Sequence, residues 1–319
     1  MGLLISGQWH DKWYETEATG GSFERGASSF REWVRRDGIT RFSPKPGRYH
    51  LYVSLACPWA HRTLLLRSLK GLEDVIPVSV VHPHMGAFGW EFRAGSGSTG
   101  EPLYGLQFLH QLYTKADPHF TGRVTVPILW DTEHETIVNN ESSEIVRMLN
   151  CEWSDFTQGT TDYYPPQLRE AIDAANELVY HGLNNGVYQA GFATTQEAYN
   201  EAVSLVCSTL DTLEATLSRS PFLTGSSITE ADWRLFPTLV RFDAVYHGHF
   251  KCNRRKLIEY PSLCRYTRTL AQIPGVLSTL NMDHITAHYY GSHPTINPTA
   301  IVPIGPDLDF LQPQHSDSP

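Results

Sequence analysis

The sequence predicts an α/β region followed by an all-helical region. Strand-like and helix-like runs alternate between residues 47 and 155, and helical periodicity takes over between 165 and 290. A third observation is size. At 319 residues the chain can bury two hydrophobic cores, and its 41% hydrophobic and 18% charged content is that of a globular protein.

Residues 1–46 are polar and Gly-rich, with a repeated pattern (Ser22-Phe23-Glu24-Arg25, then Ser29-Phe30-Arg31) and a turn-rich end, SPKPG. They read as an irregular arm. RYHLYVSLA is a strand, WAHRTLLLRSLKGL a helix closed by Gly71, and DVIPVSVVHP a second strand. Residues 84–122 form a Gly- and aromatic-rich insertion holding one helix, PLYGLQFLHQLYTKA. RVTVPILWD is a third strand, TIVNN a short fourth, and ESSEIVRMLN a helix. From 165, QLREAIDAANELVYHGL and TTQEAYNEAVSLVCSTLDTLEATLS carry apolar residues three and four apart. In the latter, Ala198, Ala202, Leu205, Leu210, Leu213 and Leu217 share one stripe. Thr229 with its following acids marks a helix start, and SLCRYTRTLAQI stops at Pro274-Gly275. The Pro- and Gly-rich tail, 291–319, reads as irregular.

A net charge of −9 argues against a broad nucleic-acid footprint. No apolar run approaches a membrane span, and MGLLISGQWHDKWYETE lacks the basic and apolar regions of a secretory leader. Five dispersed cysteines, an odd number, suit a reducing compartment. A cytoplasmic protein is expected.

Cys57 stands where a strand turns into a helix. There it meets unpaired backbone N–H groups and the positive end of the helix dipole, and His61 and Arg62 add charge. Pro58 suits the first helical position. These features favour a thiolate over the alternative, a small buried hydrophobe. The position three residues on holds Ala60, so no second cysteine resolves a disulfide there. Pro127 lies inside an apolar strand. Either a cis bond that offers the Val126 backbone to a ligand or an edge strand explains it. Glu141-Ser142 opens a helix after Asn140, a good cap. The helix start and the Ser142 hydroxyl suit a carboxylate and Glu141 an ammonium, unless both are ordinary first-turn residues.

The Cys-Pro turn, the Val-Pro strand, the Glu-Ser helix start and the helical second half together resemble a cytosolic glutathione transferase. More narrowly the chain resembles the glutathionyl-hydroquinone reductases, the xi class. The resemblance rests on CPWAHRTLLLRSLKGL, VVHPHMGAFGWEF, GRVTVPILWD, NNESSEI, LNNGVYQAGFATTQEAY, TEADWRLFPTLVRFDAVYHGHFKCN and HYYGSHPTINPT. It implies a thioredoxin-like glutathione-binding domain at 47–155 and an all-helical hydrophobic-substrate domain at 165–290. It implies glutathione as co-substrate and as the resolving thiol, glutathionyl-hydroquinones as substrates, and a homodimer. Cys57 would be the nucleophile. Tyr188 would move the proton beside the ring, and Tyr246 and Tyr289 would stabilise the thiolate, with Tyr290 adjacent in register. Trp90, Arg123, Val124, Thr125, Val126, Pro127, Glu141 and Ser142 would bind glutathione.

His82-Pro83-His84 and His247-Gly248-His249 lack a cysteine or acidic partner at convincing spacing, so no metal is expected. GSGSTG lacks the lysine and strand–helix setting of a phosphate loop. Two other functions share parts of these features. An omega-like monothiol transferase, acting on small disulfides or dehydroascorbate, would use the same cysteine. A non-catalytic carrier of hydrophobic ligands would use the helical half alone.

Overall fold

The computed structural model describes residues 2–157 and 159–311. The chain divides into two compact units, one of Met1–Glu15, Glu24–Pro165 and Ser278–Val302, the other of Thr16–Phe23, Pro166–Leu277 and Pro303–Pro319. Within the tail expected to be irregular, 312–319 lie outside the described residues.

The first unit is built on a four-stranded sheet in the order β4-β3-β6-β7. β3 (Tyr49–Val53) is central and buried on both faces, with His50 satisfied by the Ser79 hydroxyl at 2.8 Å. It runs parallel to β4 (Val78–Val80) and antiparallel to β6 (Ile128–Asp131), which pairs with β7 (Thr136–Asn139). The crossover is α1 (Pro58–Leu69), which packs along α3 (Ser142–Cys151). Gly71 takes the left-handed conformation (φ 64°) just past α1, as its position predicts.

Four expectations for this unit are corrected. The arm is not wholly irregular: β1 (Leu3–Ile5) and β2 (Gln8–His10) form a hairpin, and β5 (Gly122–Arg123) adds to β1 as a third strand. Strands of two or three residues are too short to show a period. Ser6 and Gly7 turn the hairpin with φ of 48° and 80°, and an added Cβ at Gly7 would meet the Pro118 carbonyl oxygen at 2.0 Å. The insertion helix, α2, is confined to Leu109–Ala116, because Gln111 caps it by accepting the N–H groups of Gln107 and Phe108. RVTVPILWD is split: residues 124–127 leave the sheet, and Pro127 has no N–H for a ladder. The N-cap of α3 is Glu141, which accepts the Ser143 N–H, rather than Asn140.

The second unit is helical. α4 (Arg169–Val179) passes through a π-helical turn, Tyr180–Asn184, into α5 (Gly186–Phe192). α6 (Gln196–Leu217) starts on Thr195, whose hydroxyl accepts the Ala198 N–H. α7 (Glu230–Arg241) opens on a capping box between Thr229 and Asp232 and runs into a second π turn, Phe242–Tyr246. α8 (Pro261–Ala271) follows. The α6 stripe holds except at Leu205, which is 44% exposed; Val206, one residue on, turns inward instead. α9 (Met282–Gly291), expected in the helical domain, groups with the first unit. The tail also carries a 3-10 turn at Asp309–Leu311. Among the described residues no helix is long and apolar enough to cross a membrane.

Candidate active site

Cys57 is the N-cap of α1, and Pro58 takes the first helical position. The half-buried thiol donates to the Val126 carbonyl at 3.6 Å, and its own N–H returns to Ser54 at 3.1 Å. Ala60 is fully buried. His61 is buried and hydrogen-bonds Thr279 at 2.9 Å, so it is spent on packing. Arg62 lies 4.6 Å from the Trp59 ring centroid, and Arg25 of the arm lies 4.9 Å from it. Two guanidinium groups therefore flank one residue of the turn that Cys57 caps, and only Arg62 was legible beforehand. Burial pushes the thiols of Cys207 and Cys252 up, away from thiolate character.

The Val126–Pro127 bond is cis. Among the described residues the Val126 N–H has no hydrogen-bond partner, so a ligand strand can claim it. Thr125 differs: its N–H and C=O are both engaged by the Tyr113 hydroxyl, at 3.1 and 2.9 Å. Val124 and Pro127 are buried beside them. Arg123 is held by the arm. It donates to the carbonyls of Lys12 and Trp13, lies 4.2 Å from the Tyr14 ring centroid, and has its pKa lowered by burial.

Glu141 is fixed on both oxygens. Oε1 accepts the Ser143 N–H at 3.0 Å and hydroxyl at 2.9 Å; Oε2 accepts the Ser28 hydroxyl at 3.0 Å. Burial alone would raise its pKa, but these bonds and the charge of Arg62 hold it below the usual carboxylate value. It stays anionic with lone pairs left for an ammonium. Ser142 is buried at the first position of α3. Trp90 is buried with one face stacked on His288, centroids 4.7 Å apart. The His288 Nδ1 hydrogen-bonds the Pro83 carbonyl at 2.9 Å.

The tyrosines fall into two groups. Tyr188 on α5 and Tyr246 on the second π turn have centroids 6.1 Å apart, and both pack on Phe250. Gly191 makes this possible, since an added Cβ would meet the Phe250 ring at 2.3 Å. Phe23 of the arm packs on Tyr188 at 6.4 Å. Tyr289 belongs to the first unit, buried on α9 against His288 and His293; Tyr290 beside it is half-buried. Sequence reasoning missed Arg25, Ser28, Tyr113 and His288. The Ser-Phe repeat was the one available signal, and both its copies anchor: Phe23 on Tyr188, and Phe30 on Tyr113.

Known proteins share this fold. The glutathione S-transferase N-terminal domain matches residues 56–152, and the C-terminal domain matches 196–269. The chain is 53% identical to glutathionyl-hydroquinone reductase YqjG of Escherichia coli K12, covering 99% of each chain. The glutathione-bound structure of YqjG superposes with a TM-score of 0.90 at 49% identity, covering 99% of both chains. Glutathionyl-hydroquinone reductase PcpF of Sphingobium chlorophenolicum is 54% identical over 96% of each chain. A Xi class transferase from Natrialba magadii gives a TM-score of 0.92 at 48% identity, over 99% of this chain and 96% of that one. A mixed sheet with a monothiol at the head of α1, followed by the helical unit, is thus the cytosolic glutathione transferase fold. The chain belongs to the glutathione S-transferase family, in the Xi class of the glutathionyl-hydroquinone reductases.

Proposed function

We propose that the protein removes glutathione reductively from glutathionyl-hydroquinones. The observation that carries this reading is a lone thiol capping α1, 3.6 Å from the Val126 carbonyl, with Ala60 where a second cysteine would stand. In the first half-reaction the Cys57 thiolate attacks the glutathionyl sulfur of the keto tautomer. The S–S bond forms and the S–C bond breaks. The electron pair leaves as an enolate, which is protonated to the hydroquinone. In the second, glutathione thiolate attacks the mixed disulfide, releasing oxidised glutathione and the Cys57 thiolate. One glutathionyl-hydroquinone and one glutathione thus give one hydroquinone and one oxidised glutathione.

Tyr188 moves the proton at the ring, while Tyr246 and Tyr289 donate to the thiolate. Glutathione lies with its cysteinyl backbone on Val126, its ammonium at Glu141 and a carboxylate at Ser142 and the start of α3. Arg123 to Pro127 line it and Trp90 packs on it. The 47–155 region serves glutathione and the 165–290 region the ring, in a cytoplasmic homodimer. The unpartnered Val126 N–H and the anionic Glu141 support the glutathione site.

Intact mass after adding glutathionyl-menadiol without free glutathione tests the reading. One glutathionyl unit gained, and absent in Cys57→Ser, is expected. No adduct, where a small mixed disulfide still modifies Cys57, would favour the omega-like monothiol transferase. No adduct from either reagent would favour the ligand carrier.

A further inference from the structure

The two limbs of the glutathione site are the backbone around Val126 and the helix start at Glu141. Neither limb is held by a sheet ladder: residues 124–127 lie between β5 and β6 without strand pairing, and Asn140 and Glu141 lie between β7 and α3. One phenol oxygen joins them. Tyr113, on α2, is 0% exposed. Its hydroxyl donates to the Thr125 carbonyl at 2.9 Å and accepts the Thr125 N–H at 3.1 Å and the Asn140 side-chain amide at 3.1 Å. The Thr125 hydroxyl lies 3.3 Å from the same oxygen, so the one proton and two lone pairs of the phenol are shared among four partner atoms. Burial raises its pKa, so the proton it donates is always present.

The consequences for the two limbs are specific. Binding the N–H and C=O of the same residue fixes both backbone dihedrals of Thr125, and so the direction in which the Val126 peptide faces. Asn140 is held from the other side as well, since its Oδ1 accepts the Phe30 N–H at 3.1 Å and its own N–H donates to the Phe30 carbonyl at 3.1 Å. It therefore cannot follow Tyr113 if the phenol moves. Glu141 is the next residue. The ring of Tyr113 packs separately, on Phe30 and Phe120, with centroids 5.9 and 5.1 Å away. Packing and hydrogen bonding are thus separable by removing one oxygen.

We propose that Tyr113 is a positioning residue for glutathione: its hydroxyl sets the distance and orientation between the Val126 backbone and the Glu141–Ser142 helix start. This rests on the glutathione site proposed above. It assigns a purpose to the insertion, whose helix delivers the phenol. The same site takes the glutathionyl part of the conjugate and the free glutathione, so a loss of alignment weakens both substrates together. Once either is bound, Cys57 and the ring-side tyrosines are untouched.

Tyr113→Phe keeps the ring and removes every one of these bonds. We expect the Kd for glutathione, and the KM for glutathione and for glutathionyl-menadiol, each to rise about ten-fold, with kcat changed less than about two-fold. Calorimetric titration of the full chain with glutathione, beside thermal unfolding, reads this directly. Glu141→Gln is measured in the same series. A Tyr113→Phe protein that melts lower but binds glutathione like the wild type, while Glu141→Gln binds weakly, overturns the inference and leaves the glutathione site standing. A wild type that takes up no glutathione at millimolar concentration overturns both. Should Tyr113→Phe fail to fold, Asn140→Ala leaves the ring and removes the amide bond to the phenol, together with the Phe30 N–H bond to Oδ1. A several-fold weakening is then expected, and unchanged binding overturns the inference.

Discussion

The reactivity proposed for Cys57 rests on backbone position more than on side-chain neighbours. Capping α1 puts its sulfur at the positive end of a twelve-residue helix. His61, expected from its place in the first turn to add charge, is buried on Thr279. Arg62 and Arg25 lie against Trp59, two residues from Cys57 in the chain. Cys57→Ser should abolish the mixed disulfide and lower turnover by about a thousand-fold or more, with an unchanged far-UV spectrum. Turnover within ten-fold of wild type, measured as hydroquinone release, would show that another group is the nucleophile.

Caps and turns decide where elements begin. Asp232 closes the capping box of α7 and does more: it accepts the N–H groups of Leu223 and Thr229 at 3.0 and 2.7 Å and the Tyr266 hydroxyl at 2.8 Å. The Thr229 and Tyr266 bonds are buried and the Leu223 bond partly so, and Asp232→Ala strands all of these donors at once. A loss of about 3 kcal/mol is expected in urea unfolding, against about 1 kcal/mol for Tyr266→Phe. Equal losses would mean that the other bonds are idle. In the N-terminal hairpin, Gly7 holds positive φ against Pro118 and donates to the Phe120 carbonyl at 3.0 Å. Gly7→Ala should detach β1 and β2, seen as fast amide exchange over residues 3–10 while β3 stays protected. Protection retained in the hairpin would contradict this.

For the molecule as a whole, burial lowers the pKa of His82, His110 and His284 as well, and two further buried imidazoles carry the largest acid-stability effect. Burial lowers the pKa of His50, on β3, and of His249, beside Phe250, to about 4 each. Both are neutral in the folded chain, whereas the unfolded chain takes up protons from about pH 6.5 downward. Because the unfolded state then binds more protons, stability falls between about pH 6.5 and 4, on the order of 3 kcal/mol for each group. Urea midpoints measured at pH 7 and pH 5 should show the decline, and His249→Phe should flatten it. An equal slope in wild type and variant would rule out this source.

The sequence by itself determined the order of elements, the switch from α/β to all-α, and the helix starts at Cys57-Pro58 and Thr229. These depend on residues within four positions of one another, whose spacing the chain displays directly. It also displayed the motifs that mark the family. Only the tertiary structure decided that Gly122–Arg123 pairs with an N-terminal hairpin, that Leu205 faces out while Val206 faces in, and that α9 joins the first unit. It alone brought Tyr113, Thr125 and Asn140 to one oxygen, and Ser28 to Glu141 across 113 residues. Such meetings carry no period. A hydroxyl or amide in the sequence looks the same whether it ends in water or against a buried partner, and only the folded backbone chooses between them.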